Sequence, residues 1–180
     1  MQNLNSFYKE QLEKHKAESK RIYKLMGLFS LLRLSVFVLA VFGVYLTFQD
    51  WQITSVIGVL GIAIFLFLLS RYTDLKAKRF LHKRLTVINE EEIKIASGDF
   101  HNRSSGLQFQ SPKHYYSLDI DLFGRGSFFQ FINRTTIKEG TETLVKHLLA
   151  NNTSNIEARQ EAVKELATLP EWRQHYSGVA

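Results

Sequence analysis

The chain has 180 residues, of which 45% are hydrophobic, an ordinary share for a globular protein. The placement is not ordinary: residues 25–70 hold only Arg33 and Asp50 as charges, whereas residues 71–180 hold 29 of the 40 charged side chains. Cysteine is absent, which excludes disulfides, thiolate metal sites and cysteine nucleophiles, and ten Gly with two Pro exclude a low-complexity or turn-rich all-β chain.

Residues 1–24 carry six Lys/Arg and three Glu and read as a basic, cytoplasmic N-terminal helix. Residues 25–70 follow as a transmembrane hairpin. Leu25–Phe48 has one charge and Trp51–Ser70 has none. Each is long enough to cross a hydrocarbon core, which needs about 20 apolar residues. Arg33 near the middle of a span would cost about 3 kcal/mol, a cost relieved if the first span slides until the guanidinium reaches the headgroups. Positive charge flanks both spans on one side: six Lys/Arg lie in residues 1–24 and six more, against one Asp, in residues 71–84. The turn has no positive charge, so Arg33, Arg71, Lys76, Lys78 and Arg79 set the topology with both termini in the cytoplasm, at the inner membrane. The lipid bilayer is the first partner this reading implies.

Residues 71–97 form a juxtamembrane helical segment, with Ala77, Leu81, Leu85 and Ile88 at helical spacing and Phe80 beside them. One long helix or two shorter ones breaking near Asn89 both fit, with Gly98 as C-cap. Residues 98–113 read as a loop. Beyond it, Phe128, Phe129, Phe131 and Ile132 fall on one side of a short helix. Thr136 with Glu139, and Ser154 with Glu157, have the spacing of capping boxes. Leu144, Val145, Leu148 and Leu149 give one amphipathic face and Ile156, Val163 and Leu166 another, with Pro170 as punctuation. The expected fold class is mostly α.

Chemistry is sparse. No phosphate-cradling loop of the Gly-x-x-x-x-Gly-Lys-Ser/Thr kind occurs, and Gly124–Ser127 reads as a turn that starts a helix. The six histidines have no metal-ligand spacing. Asp119 and Asp121 alternate along what reads as an extended segment, without a third ligand. Residues 85–180 have ten Lys/Arg against twelve Asp/Glu, net −2, so the chain's +6 belongs to its membrane-proximal part and is not a nucleic-acid footprint. No catalytic residue, cofactor site or metal site is expected in this chain.

Residues 114–167 carry a patterned stretch: Leu118-Asp119, then Gly126-Ser127-Phe128-Phe129, Asn133-Arg134-Thr135, Gly140 with Leu144 and Leu148-Leu149, and finally Ile156 with Arg159-Gln160, Val163 and Leu166. In order and spacing this resembles the start of the helical core, or lever, domain of the MutS family of DNA mismatch-repair ATPases. The two-span N-terminus looks like that family's membrane-anchored branch. The resemblance implies an incomplete lever segment over 114–180, in which Leu118, Asp119, Gly126, Ser127, Asn133, Thr135, Gly140, Leu144, Arg159, Gln160 and Val163 have structural roles. It further implies ATP and Mg on an ATPase domain missing here, with dimerisation through missing domains and DNA binding as a clamp. The expectation is that the rest lies on a longer native chain or that the product is truncated. A stand-alone two-span adaptor, whose cytoplasmic helices bind a protein partner, is the alternative. A pore subunit would need polar residues within the spans, where only Arg33 is available.

Overall fold

The computed structural model describes residues 4–150 and 154–180. Residues 1–3 of the N-terminal segment and 151–153 of the lever-like segment lie outside that description. Among the described residues the regular structure is entirely helical: α1 (Leu4–Leu46), α2 (Trp51–Ala96), a 3₁₀ turn (Leu107–Phe109), α3 (Phe128–Ile132), α4 (Lys138–Leu148), α5 (Ile156–Ala167) and α6 (Pro170–Val179). The chain divides into two compact units. One comprises residues 1–12 and 85–180, here the helical unit, and the other residues 13–84, the hairpin unit.

In the hairpin unit, α1 and α2 are both long and apolar enough to cross a membrane, and almost none of either apolar window is buried within the chain. Phe37, Leu39, Phe42, Val59, Ile62 and Phe67 all point outward. The turn between the helices spans residues 47–50, so the first helix ends two residues before Phe48, where the apolar run ends. Thr47 explains this: its hydroxyl donates to Gly43 O at 2.9 Å, and its carbonyl accepts both the Asp50 amide and the Thr54 hydroxyl. Small residues set the approach of the two helices. A Cβ at Gly61 would stand 2.8 Å from Ala40 Cβ, and one at Gly43 3.1 Å from Ile57 Cγ2. Close backbone approach of this kind drives association of apolar helices when burial of apolar surface from water cannot. The Arg33 guanidinium lies over Tyr72 at 5.2 Å and Phe65 at 5.8 Å, so it is drawn toward the charged end of α2.

The helical unit is built on a core of Leu122, Phe123, Phe129 and Val145, with Phe109, Tyr116, Leu144, Leu148 and Leu149 packed against it. α2 runs through Asn89 without a break. Rather than ending the helix, the fully buried Asn89 amide donates to Leu85 O at 2.8 Å and accepts from Gln174 Nε2 at 2.8 Å, joining α2 to α6. The helix stops at Gly98 (φ +86), where the amides of Gly98 and Asp99 bond Ile95 O and Lys94 O in a Schellman pattern.

The segment over 98–113 is organised by Gln130 on α3. Its Nε2 donates to His101 O at 3.0 Å and Arg103 O at 2.6 Å, while its Oε1 accepts the Gly126 amide at 2.7 Å. Gly106 (φ +66) brings the segment so near the core that an added Cβ would lie 2.6 Å from Phe129 Cδ1. Ser127 caps α3 by accepting the Gln130 amide. The other expected caps do not form. α4 starts from Ile137 and α5 from Asn155 (φ 59), neither with a side-chain cap bond. Phe129 alone of the α3 phenylalanines is buried; Phe128 and Phe131 are exposed, because five residues make too short a helix to hide three rings on one side. Tyr116 donates to Leu148 O at 2.8 Å, which satisfies a carbonyl at the open end of α4.

Two outcomes test this description. Gln130→Leu should strand two part-buried carbonyls and an amide, lowering the unit's stability by about 2–4 kcal/mol. Amide exchange should rise first across residues 101–106. Gly61→Leu should force the hairpin helices apart, and a cross-link between cysteines placed at 43 and 57, in a chain with none of its own, should fall sharply.

Candidate functional site

The helical unit contains a cleft of about 440 Å³. Tyr8 enters it from α1, Ile88, Glu91 and Glu92 from α2, Arg103 and Arg134 from the connecting segments, and Trp172, Arg173 and Tyr176 from α6. Successive carboxylates on α2 hold the two segment arginines. Glu91 accepts from Arg103 Nη1 at 2.7 Å, and Glu92 takes Arg134 through both oxygens, at 2.5 and 3.2 Å. Arg103 also donates to Asn133 O and Arg134 to Phe131 O. Trp172 and Tyr176 stack with centroids 5.7 Å apart and planes 12° from parallel. Arg103 Nε and Arg173 Nε are buried without an acceptor among the described residues.

Burial pushes the Tyr8 phenol above its ordinary value; Glu92 adds to the effect, and Arg173 and Arg134 oppose it. The folded unit therefore favours the neutral phenol. That contribution is fully present below the ordinary tyrosine range and is lost as pH rises through the raised folded value. The cleft joins guanidinium, carboxylate and aromatic groups, a surface suited to gripping a chain or an extended group. Among the described residues no group of three or more His, Asp or Glu is placed to hold a metal.

The motif residues divide into two sets. Ser127, Asn133, Thr135 and Leu144 have packing or bonding roles in one region: the Asn133 Oδ1 accepts the Thr135 amide at 3.0 Å and its hydroxyl at 2.6 Å, and Thr135 meets Thr141 hydroxyl to hydroxyl at 2.7 Å. Gly126 (φ +78) supplies the turn before α3, and Gly140 lies near Ile137 and Thr135. Leu118, Asp119, Gln160 and Val163 are exposed. The segment holding Asp119 and Asp121 is a run of turns rather than extended chain, with Asp121 at φ 47, so the two carboxylates have no alternating register. Arg159 folds back to Ser154 O and His147 Nδ1, each at 3.1 Å. Thr136 lines the cleft instead of capping α4. Gly124–Ser127 gives a phosphate no cradle: the Gly124 amide donates to Ser105 O, that of Gly126 to Gln130 Oε1 and that of Ser127 to Gly124 O. The cleft itself went unread in the sequence; the adjacent acids Glu91-Glu92, facing Arg103 and Arg134 far along the chain, were its one trace.

The class that fold and site define is an all-helical protein with two helices long and apolar enough to cross a membrane. Comparison with family models, with curated proteins and with solved structures returns no match.

Tyr8→Phe should flatten the loss of stability between about pH 9 and 11, where the native protein's thermal midpoint falls as the phenol is forced to ionise. An unchanged alkaline profile would place the titration elsewhere.

Proposed function

We propose that this chain is the membrane-anchored opening segment of a MutS-like clamp protein. Its hairpin unit crosses the inner membrane twice with both termini in the cytoplasm, and the helical unit forms the base of a lever arm. The observation that carries the reading is α5. Its apolar side chains Ile156, Val163 and Leu166 are exposed, Val163 by 67%, and along the helix only Arg159 is even partly shielded. A helix with an apolar stripe left uncovered calls for a further packing partner, and lever helices of a MutS-like core are of that kind. The residue pattern from Leu118 to Leu166 supports the same reading. Nucleotide binding, DNA contact and dimerisation belong, in this proposal, to domains other than the one described.

A second reading rests on the cleft. Its exposed Trp172–Tyr176 stack and half-committed arginines suit a protein partner, in which case the chain is a two-span adaptor. One experiment separates the two. An antibody against residues 98–180 should detect an endogenous membrane polypeptide several tens of kDa heavier than 20.9 kDa, and that polypeptide should retain duplex DNA in a nucleotide-dependent way. A membrane band at 20.9 kDa without DNA retention would discard the clamp and leave the adaptor. Cysteines introduced at residues 2 and 49 report orientation in the same membranes, reacting from opposite sides if the topology holds.

A further inference from the structure

We propose that His15 and His82 form a proton-sensitive clasp between α1 and α2, closed while the two rings share a proton at their facing nitrogens and opened when each nitrogen carries its own. Both residues belong to the hairpin unit. Their Nδ1 atoms lie 3.0 Å apart, with ring centroids at 5.2 Å and planes at 44°. The pair is the far end of a continuous seam between the two helices. Counting outward from the turn, Thr47 meets Thr54, Ala40 meets Gly61 and Tyr23 meets Arg79 before His15 meets His82. The apolar stretch of α2 ends at Ser70, so His82 stands about 18 Å beyond it at 1.5 Å per residue. That is past a headgroup layer about 5–8 Å deep, where protons exchange with bulk water.

A histidine pair bonded nitrogen to nitrogen works only at certain proton counts. One Nδ1 donates and the other must offer its lone pair. Two neutral rings meet this condition. A pair with one extra proton meets it too, because the donor ring is then charged and bonds more strongly. Two extra protons put N–H on both facing nitrogens, remove the acceptor and bring two cations to contact distance. Histidine is the side chain that ordinarily gains its charge near pH 6.5, so mild acid supplies that second proton. The surroundings oppose it. His15 is 9% exposed, which leaves a second charge little hydration. Within four residues of either ring stand Lys14, Lys16, Lys78, Arg79, Lys83 and Arg84 against Glu13 and Glu18, net +4, and Glu18 accepts from Arg21. On α6, Glu171 accepts from Gln11, one turn before His15 along α1. The sign follows from the proton count. Parted helices bind one proton more than clasped ones, so closure is present at neutral pH and above and is lost as pH falls. A polar pair in a helix seam is enough to fix register. An amide pair such as Asn89 with Gln174 does that without sensing pH; two imidazoles add the proton count.

The test uses the full chain in nanodiscs, with spin labels on cysteines introduced at the exposed positions Ala17 and Phe80, in a chain with no cysteine of its own. Pulsed dipolar spectroscopy should give one short distance at neutral pH and a growing longer population below about pH 6.5. Uptake of one extra proton sets the slope, so the ratio of parted to clasped helices should rise by up to about tenfold per pH unit. His82→Gln is the discriminating variant. An amide at that position can accept from His15 in either charge state without titrating, so the distance should stay short down to about pH 5. His175→Gln removes an exposed histidine outside the pair and should keep the native response. A native distance that stays short to about pH 5 would overturn the clasp, as would parting in His82→Gln as large as in the native chain. Should His82→Gln already be parted at neutral pH, His15→Leu/His82→Leu decides: a pH-independent distance supports the clasp, and a surviving acid response assigns the titration to other groups and overturns it. The distance is read on purified protein, so the result depends neither on the orientation of the spans nor on the clamp reading. Under the orientation proposed above, the compartment sensed is the cytoplasm.

Discussion

The helical unit depends on satisfying the backbone of a long stretch that makes almost no regular structure of its own. Between the end of α2 and the start of α3 lie some thirty residues with a single 3₁₀ turn. Their amides and carbonyls are near the core, where an unmet polar group costs about 1–3 kcal/mol. Gln130 meets three of them with one buried side chain, which binds two carbonyls of the stretch and one amide of the turn before α3. The short apolar core of Leu122, Phe123, Phe129 and Val145 can form only because the stretch is held down over it, at Gly106 to within contact of Phe129. The Asn89–Gln174 clasp works in the same way between α2 and α6, where both amides are buried and pair with each other. Buried amides that are fully paired also favour one packing over others, since any slip leaves them unpaired.

The hairpin unit solves the opposite problem. Its helices are apolar on every side, so nothing in their own pattern says which side should meet the other. Contact at Gly61 with Ala40 and at Gly43 with Ile57 selects one pairing by steric fit, and the Thr47–Thr54 hydroxyl contact at 3.1 Å holds the turn. Arg33 is accommodated by two ring faces and needs no acidic partner.

Much of this was legible in the sequence, and the misses have common causes. The two long apolar helices, the Gly98 stop and the Ser127 start follow from local rules that act within a few residues. The cap expected at Thr136 is displaced: Thr135 bonds Asn133 and Thr141, and α4 begins at Lys138 with Ile137 in the cap position, while α5 begins from Asn155 rather than Ser154. Of the two readings left open for α2, the single long helix holds and the break near Asn89 does not, since the Asn89 amide finds a partner 85 residues away that no local pattern reveals. The cleft was illegible because its arginines come from loops and its aromatic rings from α6. Only the fold brings them to Glu91 and Glu92.

The same commitments bear on what the helical unit can hold. A surface that binds duplex DNA by its phosphates needs several cations free to release counterions. Here residues 85–180 sum to net −2, and two of the cleft's three arginines, Arg103 and Arg134, are already engaged by Glu91, Glu92 and backbone carbonyls. Breaking Arg134 from Glu92 to reach a phosphate would exchange one charge-assisted pair for another and leave a partly buried carboxylate behind, with little net gain. Under a clamp reading, then, the helical unit contributes position and rigidity, and DNA contact has to come from elsewhere. The concentrated positive charge lies in the hairpin unit, on the stretches of α1 and α2 that adjoin the apolar spans. A bilayer surface is the polyanion those stretches meet first if the spans cross a membrane. The division of charge along the chain is thus uneven: the excess of cations adjoins the apolar stretches of α1 and α2, and in the helical unit Arg103 and Arg134 are paired with Glu91 and Glu92.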